Sequence, residues 1–366
     1  MSTTLPDILQ ARNLLGNAEQ VKAGLPIKHL PATFLGGPGV TRPTEGNVFT
    51  HTITSGAQKT ARYTAYGAPS SGRTMSGIGE RSGKTITSSE NVDIKASTLM
   101  NLVSPSGQRQ RLGESEVARL NAEAVTLRMN LRIAAVTQAL FLGNIYFDIE
   151  GNLLPSSSSA VVTVAMPTPT TYTKSASWQT AGTDILGDLA SFQAQSLRTT
   201  GLEIRHAFYG SRVMNSLMTN TNARDLIVRN VAANGNVLNG AASGMVFELG
   251  GITWWPAFFG FFVDNGGTAR QFSTGSAGTY DQDHVVFTPE PDSSWYEFIE
   301  GTTPVNMDGA STSSDFSSAV AGIDIMQGMW QYAVRTNDPV GVKYIYGDNF
   351  FPSINVTGAV GICDTV

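Results

Sequence analysis

"RYTAYGAPSSGRTMSGIGERSGKTITSSENVDIKASTLM", residues 62–100, is the stretch that decides the fold. Gly, Ser and Thr dominate it, its charges are scattered, and its few apolar side chains stand far apart. Such a segment buries too little apolar surface to fold by itself and takes its order from what it leans on. Apolar and polar residues alternate in "NVFTHTIT" (47–54) before it and in "NVDIKAS" (91–97) near its end, as in half-exposed strands. The two runs predict a long two-stranded ribbon, with residues 69–84 as its loose tip. A ribbon framed in this way and followed by a strong helix predicts an arm ordered by a neighbouring copy of the chain. The expectation is an assembly protein.

The helix is the clearest element. In "ESEVARLNAEAVTLRMNLRIAAVTQALFL" (114–142), Val117, Leu120, Ala124, Leu127, Leu131, Ala134 and Ala139 step mostly by three or four residues and predict one apolar stripe. Gly113 precedes it and Gly143 is placed to end it. At 1.5 Å per residue it spans roughly 40 Å, the length of a strut whose other faces stay free for partners. Arg128 and Arg132 lie four apart on it and repel, with no Glu or Asp three or four residues away to offset them. The expectation is that acidic groups of a neighbouring subunit, or DNA phosphate, face them; two solvated arginines is the plain alternative.

Outside this block, residues 4–21 predict a short helix in an N-terminal arm that runs to about residue 50. "NIYFDIEGNLLP" (144–155) reads as a hairpin, and Ala176–Thr200 holds an amphipathic helix through Ile185, Leu186, Leu189, Phe192 and Leu197. "RHAFYGS" (205–211), residues 245–263 and residues 284–288 read as strands. "GMWQYAVRTNDPVGVKYIYGDNF" (328–350) reads as two strands about a turn at Asn337, Asp338 and Pro339, and a last strand closes the chain.

Composition agrees. The 366 residues are 41% hydrophobic but only 14% charged, against a usual ~25%. A surface so poor in charge is kept in solution by burial in oligomer contacts. The net charge of −5 argues against a basic nucleic-acid binder. The lone Cys363 allows no internal disulfide, which suits folding in the cytoplasm. No secretory signal opens the sequence, and the most apolar window, around Trp254–Val263, is too short to span a bilayer and is broken by Pro256 and Gly260.

Candidate chemistry is thin. "GIGERSGKT" (77–85) misses the P-loop spacing, because Ile78 stands where the first glycine belongs. Asp281, Asp283 and His284 read as a turn into a strand rather than a metal site, and His29, His51, His206 and His284 show no ligand spacing. Glu290, Asp292, Glu297 and Glu300 form an acidic cluster that leaves a β-rich carbohydrate-active hydrolase as an alternative, with a solvated face the plainer reading. No catalytic residue, cofactor or metal is assigned.

The order of arm, polar ribbon, long helix, hairpin, α/β insert, long C-terminal strand pair and final strand resembles the HK97-type major capsid proteins of tailed phages, most closely the lambda-type major capsid protein E family. The stretches that carry the likeness are the ribbon, "RLGESEVARLNAEAVTLRMNLRIAAVTQALFLGNIYFDIEGN" (111–152), "WQTAGTDILGDLASFQAQSLRTTG" (178–201) and "YAVRTNDPVGVKYIYGDNFFPSI" (332–354). The resemblance implies an α+β, HK97-like fold. Residues 1–49 become an N-terminal arm and 50–103 an E-loop lying across an adjacent subunit. Residues 104–174 form a P domain with its spine helix at 114–142, 175–282 an A domain, 283–345 the return strands and P-loop, and 346–366 a last A-domain strand.

It also implies hexamers and pentamers that enclose double-stranded DNA in an icosahedral shell, assembled in the host cytoplasm and carried in the virion. Partners would be other copies of the chain, a separate scaffolding protein and a portal, with a decoration protein as a further candidate; DNA contact would be weak and non-specific, and no enzyme activity is implied. Candidate inter-subunit contacts are Arg73, Glu80, Arg81 and Lys84 of the ribbon, Arg128 and Arg132 of the helix, and Asn337 and Asp338 of the turn. An encapsulin-like compartment shell of the same fold is the runner-up. Lys59, Lys84 and Lys95 have no asparagine that the sequence pairs with them for a covalent crosslink.

Overall fold

The computed structural model describes residues 30–55, 78–104, 106–147, 160–210, 212–225, 246–257, 262–265, 268–271, 283–306, 323–337 and 340–366, with Leu9, Asn13, Leu14, Gln20, Leu153, Leu154 and Ile227. After a 3-10 turn at Ala32–Leu35 come β1 (Thr41–Thr44), β2 (Val48–Ser55), β3 (Ile78–Lys84), β4 (Ile86–Ile94), α1 (Ala96–Leu102) and α2 (Gly107–Leu142). β5 (Asn144–Phe147), β6 (Leu153–Leu154), β7 (Val162–Ala165), β8 (Thr170–Thr171), α3 (Ile185–Thr199), β9 (Ile204–Tyr209) and α4 (Val213–Thr219) follow. Next are β10 (Phe247–Leu249), β11 (Ile252–Pro256), β12 (Phe262–Asn265), β13 (Thr268–Gln271), β14 (His284–Pro289) and β15 (Tyr296–Asn306). The chain closes with β16 (Ile323–Gln327), β17 (Trp330–Asn337), β18 (Val340–Ile354), β19 (Val356–Thr357) and β20 (Gly361–Asp364).

Two six-stranded sheets organise these elements. One has the order β1-β15-β18-β17, with β16 on β15 and β4 on β18; the other runs β10-β11-β9-β14-β20-β8. β18 is the axis of the first sheet, pairing antiparallel with β17, β4 and β15 in turn. Its second half, residues 346–354, is buried throughout, Asp348, Asn349 and Ser353 included, because both faces are covered. At Gly347 a Cβ would overlap the Trp330 ring and the Ser88 carbonyl, so only glycine lets β17, β18 and β4 meet there.

The helix α2 starts seven residues before the expected Glu114, at Gly107, and has 36 residues. Gly113, expected just outside it, lies within it because the helix must clear α1: a Cβ there would stand 2.9 Å from the Leu102 backbone nitrogen. Gly143 ends it in the left-handed conformation, φ 62° and ψ 16°, as the sequence suggests. The single stripe holds only for the first half. Ile133, Ala134, Ala135, Val136, Ala139, Leu140 and Phe141 are all buried, so "IAAVTQALF" passes through the core with apolar groups on every side. Leu127, expected on the stripe, is exposed.

That core joins α2 to Phe34, Trp295, Tyr296, Phe298 and Phe350. A second cluster lies on the other sheet, where α3 packs Ile185, Leu189 and Phe192 against Tyr209, Trp254 and Phe287. The Asp184 side chain caps α3 by accepting from the Gly187 N–H at 3.0 Å. Among the described residues no helix is long and apolar enough to cross a membrane.

The ribbon departs from expectation. The partner of β2 is β3, inside the stretch expected to be a loose tip, and β4 ("ITSSENVDI") pairs with β18 instead. Gly83 permits this, because the Phe49 ring lies across it and a Cβ would come within 2.6 Å of Phe49 Cζ. Phe49 in turn packs on Phe351 with ring centroids 4.8 Å apart, and Thr54–Ser55 pair with β19. The ribbon is thus fastened to its own subunit at both of these points. Residues 56–77 lie outside the described residues.

Candidate functional site

Among the described residues, a dense buried polar assembly sits where α2 crosses the first sheet. Arg132 is wholly buried, with Nε donating to Asp348 Oδ2 at 2.6 Å and Nη2 to Oδ1 at 2.7 Å, a two-pronged pair. Its Nη1 lies 2.9 Å from Glu300 Oε1 of β15. The guanidinium lies against the stacked rings of Phe298 and Phe350, 5.0 and 5.4 Å from the ring centroids. Burial alone would depress its pKa, but Asp348 and then Glu300 outweigh that and hold it above the usual arginine value. Gly328, at φ +67°, makes room: a Cβ would sit 2.8 Å from the Glu300 carboxyl carbon.

One turn earlier, Arg128 is also buried but meets neutral oxygens. Its Nε donates to Ala124 O at 2.9 Å, Nη1 to Trp330 O and Gly347 O at 2.9 and 3.2 Å, and Nη2 to Gln331 Oε1 at 2.8 Å. Burial therefore dominates and lowers its pKa, though an arginine stays charged at any working pH. The Tyr344 hydroxyl donates to Gln331 Oε1 at 2.7 Å and lies 3.2 Å from Asn121 Oδ1. The amides of Asn121 and Gln331 both donate to the carbonyl of Leu14, so the buried network grips the N-terminal segment.

These contacts correct the reading of Arg128 and Arg132 as residues facing another subunit or DNA. Apart from Ala124 O on α2 itself, their partners come from β15, β17 and β18 of the same chain, far away in sequence. The legible signal is an aspartate, Asp348, set in a mostly apolar and aromatic strand, together with arginines that have no helical partners.

The other candidate contacts fall in different places. Lys84 is exposed at the end of β3, opposite Val48. Glu80 and Arg81 are in β3, opposite Thr52 and His51, and Asn337 ends β17 opposite Val340. The positions of Arg73 and Asp338 lie outside the described residues.

The acidic cluster is dispersed into separate structural pairs. Glu297 and Glu300, three apart on β15, project to opposite faces of the strand. One pairs with Arg42 at 3.1 Å and the other with Arg132. Glu290 Oε2 lies 2.7 Å from His206 Nε2, and Asp292 caps its own turn through the Ser294 N–H at 2.7 Å. His206 Nδ1 accepts from Trp255 Nε1 at 3.2 Å, which leaves the proton on Nε2, donated to Glu290. Asp283 pairs with Arg212 at 3.3 Å. No group of His, Cys, Asp and Glu among the described residues could hold a metal ion.

Comparison with solved structures finds several similar chains. A putative capsid protein of a prophage of E. coli CFT073 is 11% identical, each chain is covered in full, and the TM-score is 0.55. The mature capsid of bacteriophage PhiM1 gives 12% identity, 93% of this chain and 88% of that one, and a TM-score of 0.46. A phage-related protein of Bordetella bronchiseptica RB50 gives 9%, 98% and 97%, and 0.45. The search of curated proteins finds no match. The architecture is HK97-like, as the first of these structures indicates. Residues 27–295, most of the chain, match the family described as phage major capsid protein E, and the chain belongs to that family of tailed-phage head proteins, as a subunit of the virion's capsid shell.

Proposed function

We propose that the chain builds an icosahedral shell of hexamers and pentamers around double-stranded DNA, with the ribbon reaching a neighbouring copy through residues 56–77. The supporting observation is the ribbon. It is fastened to its own subunit through Phe49 and Thr54–Ser55, while residues 56–77, which join its strands, carry Lys59, Arg62 and Arg73 and no acid. In a chain of net charge −5, such a basic segment finds its complement on the surface of another copy. The contacts are individually weak, but each subunit repeats them with several neighbours, and their sum makes the lattice durable.

On this reading the body carrying α2 and the first sheet is the P domain, and the second sheet belongs to the A domain. The turn 336–341 meets its copies at local three-fold positions. Assembly takes place in the host cytoplasm with a separate scaffolding protein and a portal, and a decoration protein is a further partner. The acidic excess keeps DNA contact weak, so the genome slides as it is packed. The role is structural, with no chemistry assigned.

Concentrating the purified full chain and imaging it in negative stain, alongside sedimentation, tests the proposal. Closed shells with five- and six-fold capsomers are expected. A particle that sediments as a single subunit at every concentration, with no shells on the grid, overturns it.

A further inference from the structure

The α1–α2 corner breaks several rules of a self-sufficient helix start at once. Ser106 stands at the N-cap of the longest helix but makes no side-chain capping bond, and the first turn holds no acid. It holds Arg109 instead, with Arg111 just beyond; both are exposed and neither pairs with a described carboxylate. Two cations at the positive end of a helix dipole are unfavourable. The nearest acid, Glu114, is engaged by Gln110 Nε2 at 3.2 Å.

Around these arginines the surface is apolar. Met100, Val103 and Leu112 are 75%, 75% and 63% exposed. Val103 and Leu112 are chain neighbours of Leu102 and Gly113, which touch where α1 meets α2, so both emerge at one corner. Departures from local consistency concentrate where something outside the fold completes the structure. An apolar cluster rimmed by unpaired cations is the outline of a docking surface.

We propose that this corner docks a carboxylate-bearing surface of a second copy of the chain, an inference that rests on the capsid reading. The complement exists on the same subunit. Glu45, Glu90 and Asp292 are exposed and pair with no described cation, and the chain as a whole carries 29 acids against 24 Lys and Arg. A patch that differs from its complement gives a head-to-tail contact, which closes rings of copies. The dipole and the arginines attract the acidic partner, and the three apolar side chains lose their water on docking.

The test uses the full chain with two variants, Leu112→Ser and Arg109→Glu/Arg111→Glu, read by the concentration at which shells form and by thermal unfolding of the unassembled subunit. Leu112→Ser is expected to raise the assembly concentration about tenfold or more with unfolding unchanged, since the side chain is exposed in the lone subunit. The double reversal is expected to block assembly yet leave the subunit equally or more heat-stable, because carboxylates suit a helix start. Assembly of both variants at the unmodified chain's concentration overturns the proposal. So does a less stable subunit in the reversal variant, which would mean that the arginines have partners within the chain. Normal shells that fail only to retain DNA, or to bind a scaffolding protein, assign the corner to that other partner and overturn it too. If the unmodified chain forms no shells at all, the capsid reading fails instead.

Discussion

Arg132 and Asp348, 216 positions apart in sequence, meet through two hydrogen bonds of 2.6 and 2.7 Å with no solvent reaching either side chain. The pair ties the middle of α2 to the centre of β18, the strand that all the others in the first sheet depend on. A buried ion pair of this kind adds little over an apolar pair of similar volume, but half of it is costly.

Asp348→Asn should therefore destabilise the folded subunit by about 3–5 kcal/mol, because it leaves Arg132 buried with Glu300 alone. Replacing both partners together, Arg132→Met with Asp348→Leu, should cost much less than that single change. Urea denaturation of the three chains checks this, and a double variant weaker than Asp348→Asn would refute the argument.

His206 supplies a pH prediction. Burial lowers its pKa, and the Glu290 carboxylate offsets only part of that. A second proton would have to sit on Nδ1, where Trp255 already donates. The unfolded chain takes up that proton near pH 6.5, whereas the folded chain resists it. Stability contributed by this site is thus complete above about pH 6.5 and declines as the pH falls below it. Denaturation midpoints measured from pH 7.5 down to 5 should drop, and His206→Gln should flatten that part of the profile.

Cys363 is buried in β20 against the second core, and burial pushes its thiol up to about 12. Almost no thiolate exists at neutral pH, and reagents reach it only through opening of the sheet. Native protein should resist an aromatic disulfide reagent at pH 8 and react stoichiometrically in denaturant. Fast reaction without denaturant would contradict the packing.

The elements with strong local signals were legible in the sequence. The apolar spacing of α2 and α3, the glycine stop at Gly143 and the antiparallel return of β17 into β18 are all decided within a few residues. What was missed depends on distant chain. β3 looked like a loop because Gly79, Ser82 and Gly83 have poor strand propensity, yet Gly83 is there to admit the Phe49 ring. β4 alternates as a ribbon strand should, but alternation does not name a partner, and its partner β18 lies some 250 residues later. Arg128 and Arg132 look unpartnered in the sequence because charge rules within a helix reach only three or four positions away. Their oxygens are on strands that only the fold brings near.

The register between β18 and β4, unbroken from Val342–Ile94 to Phe350–Ile86, has a mechanical meaning. Tension along the axis of β18 is resisted in shear, by many backbone bonds stretching together, rather than by peeling them open in succession. In a wall built of such subunits, outward pressure that pulls along that line meets this shear resistance within each subunit.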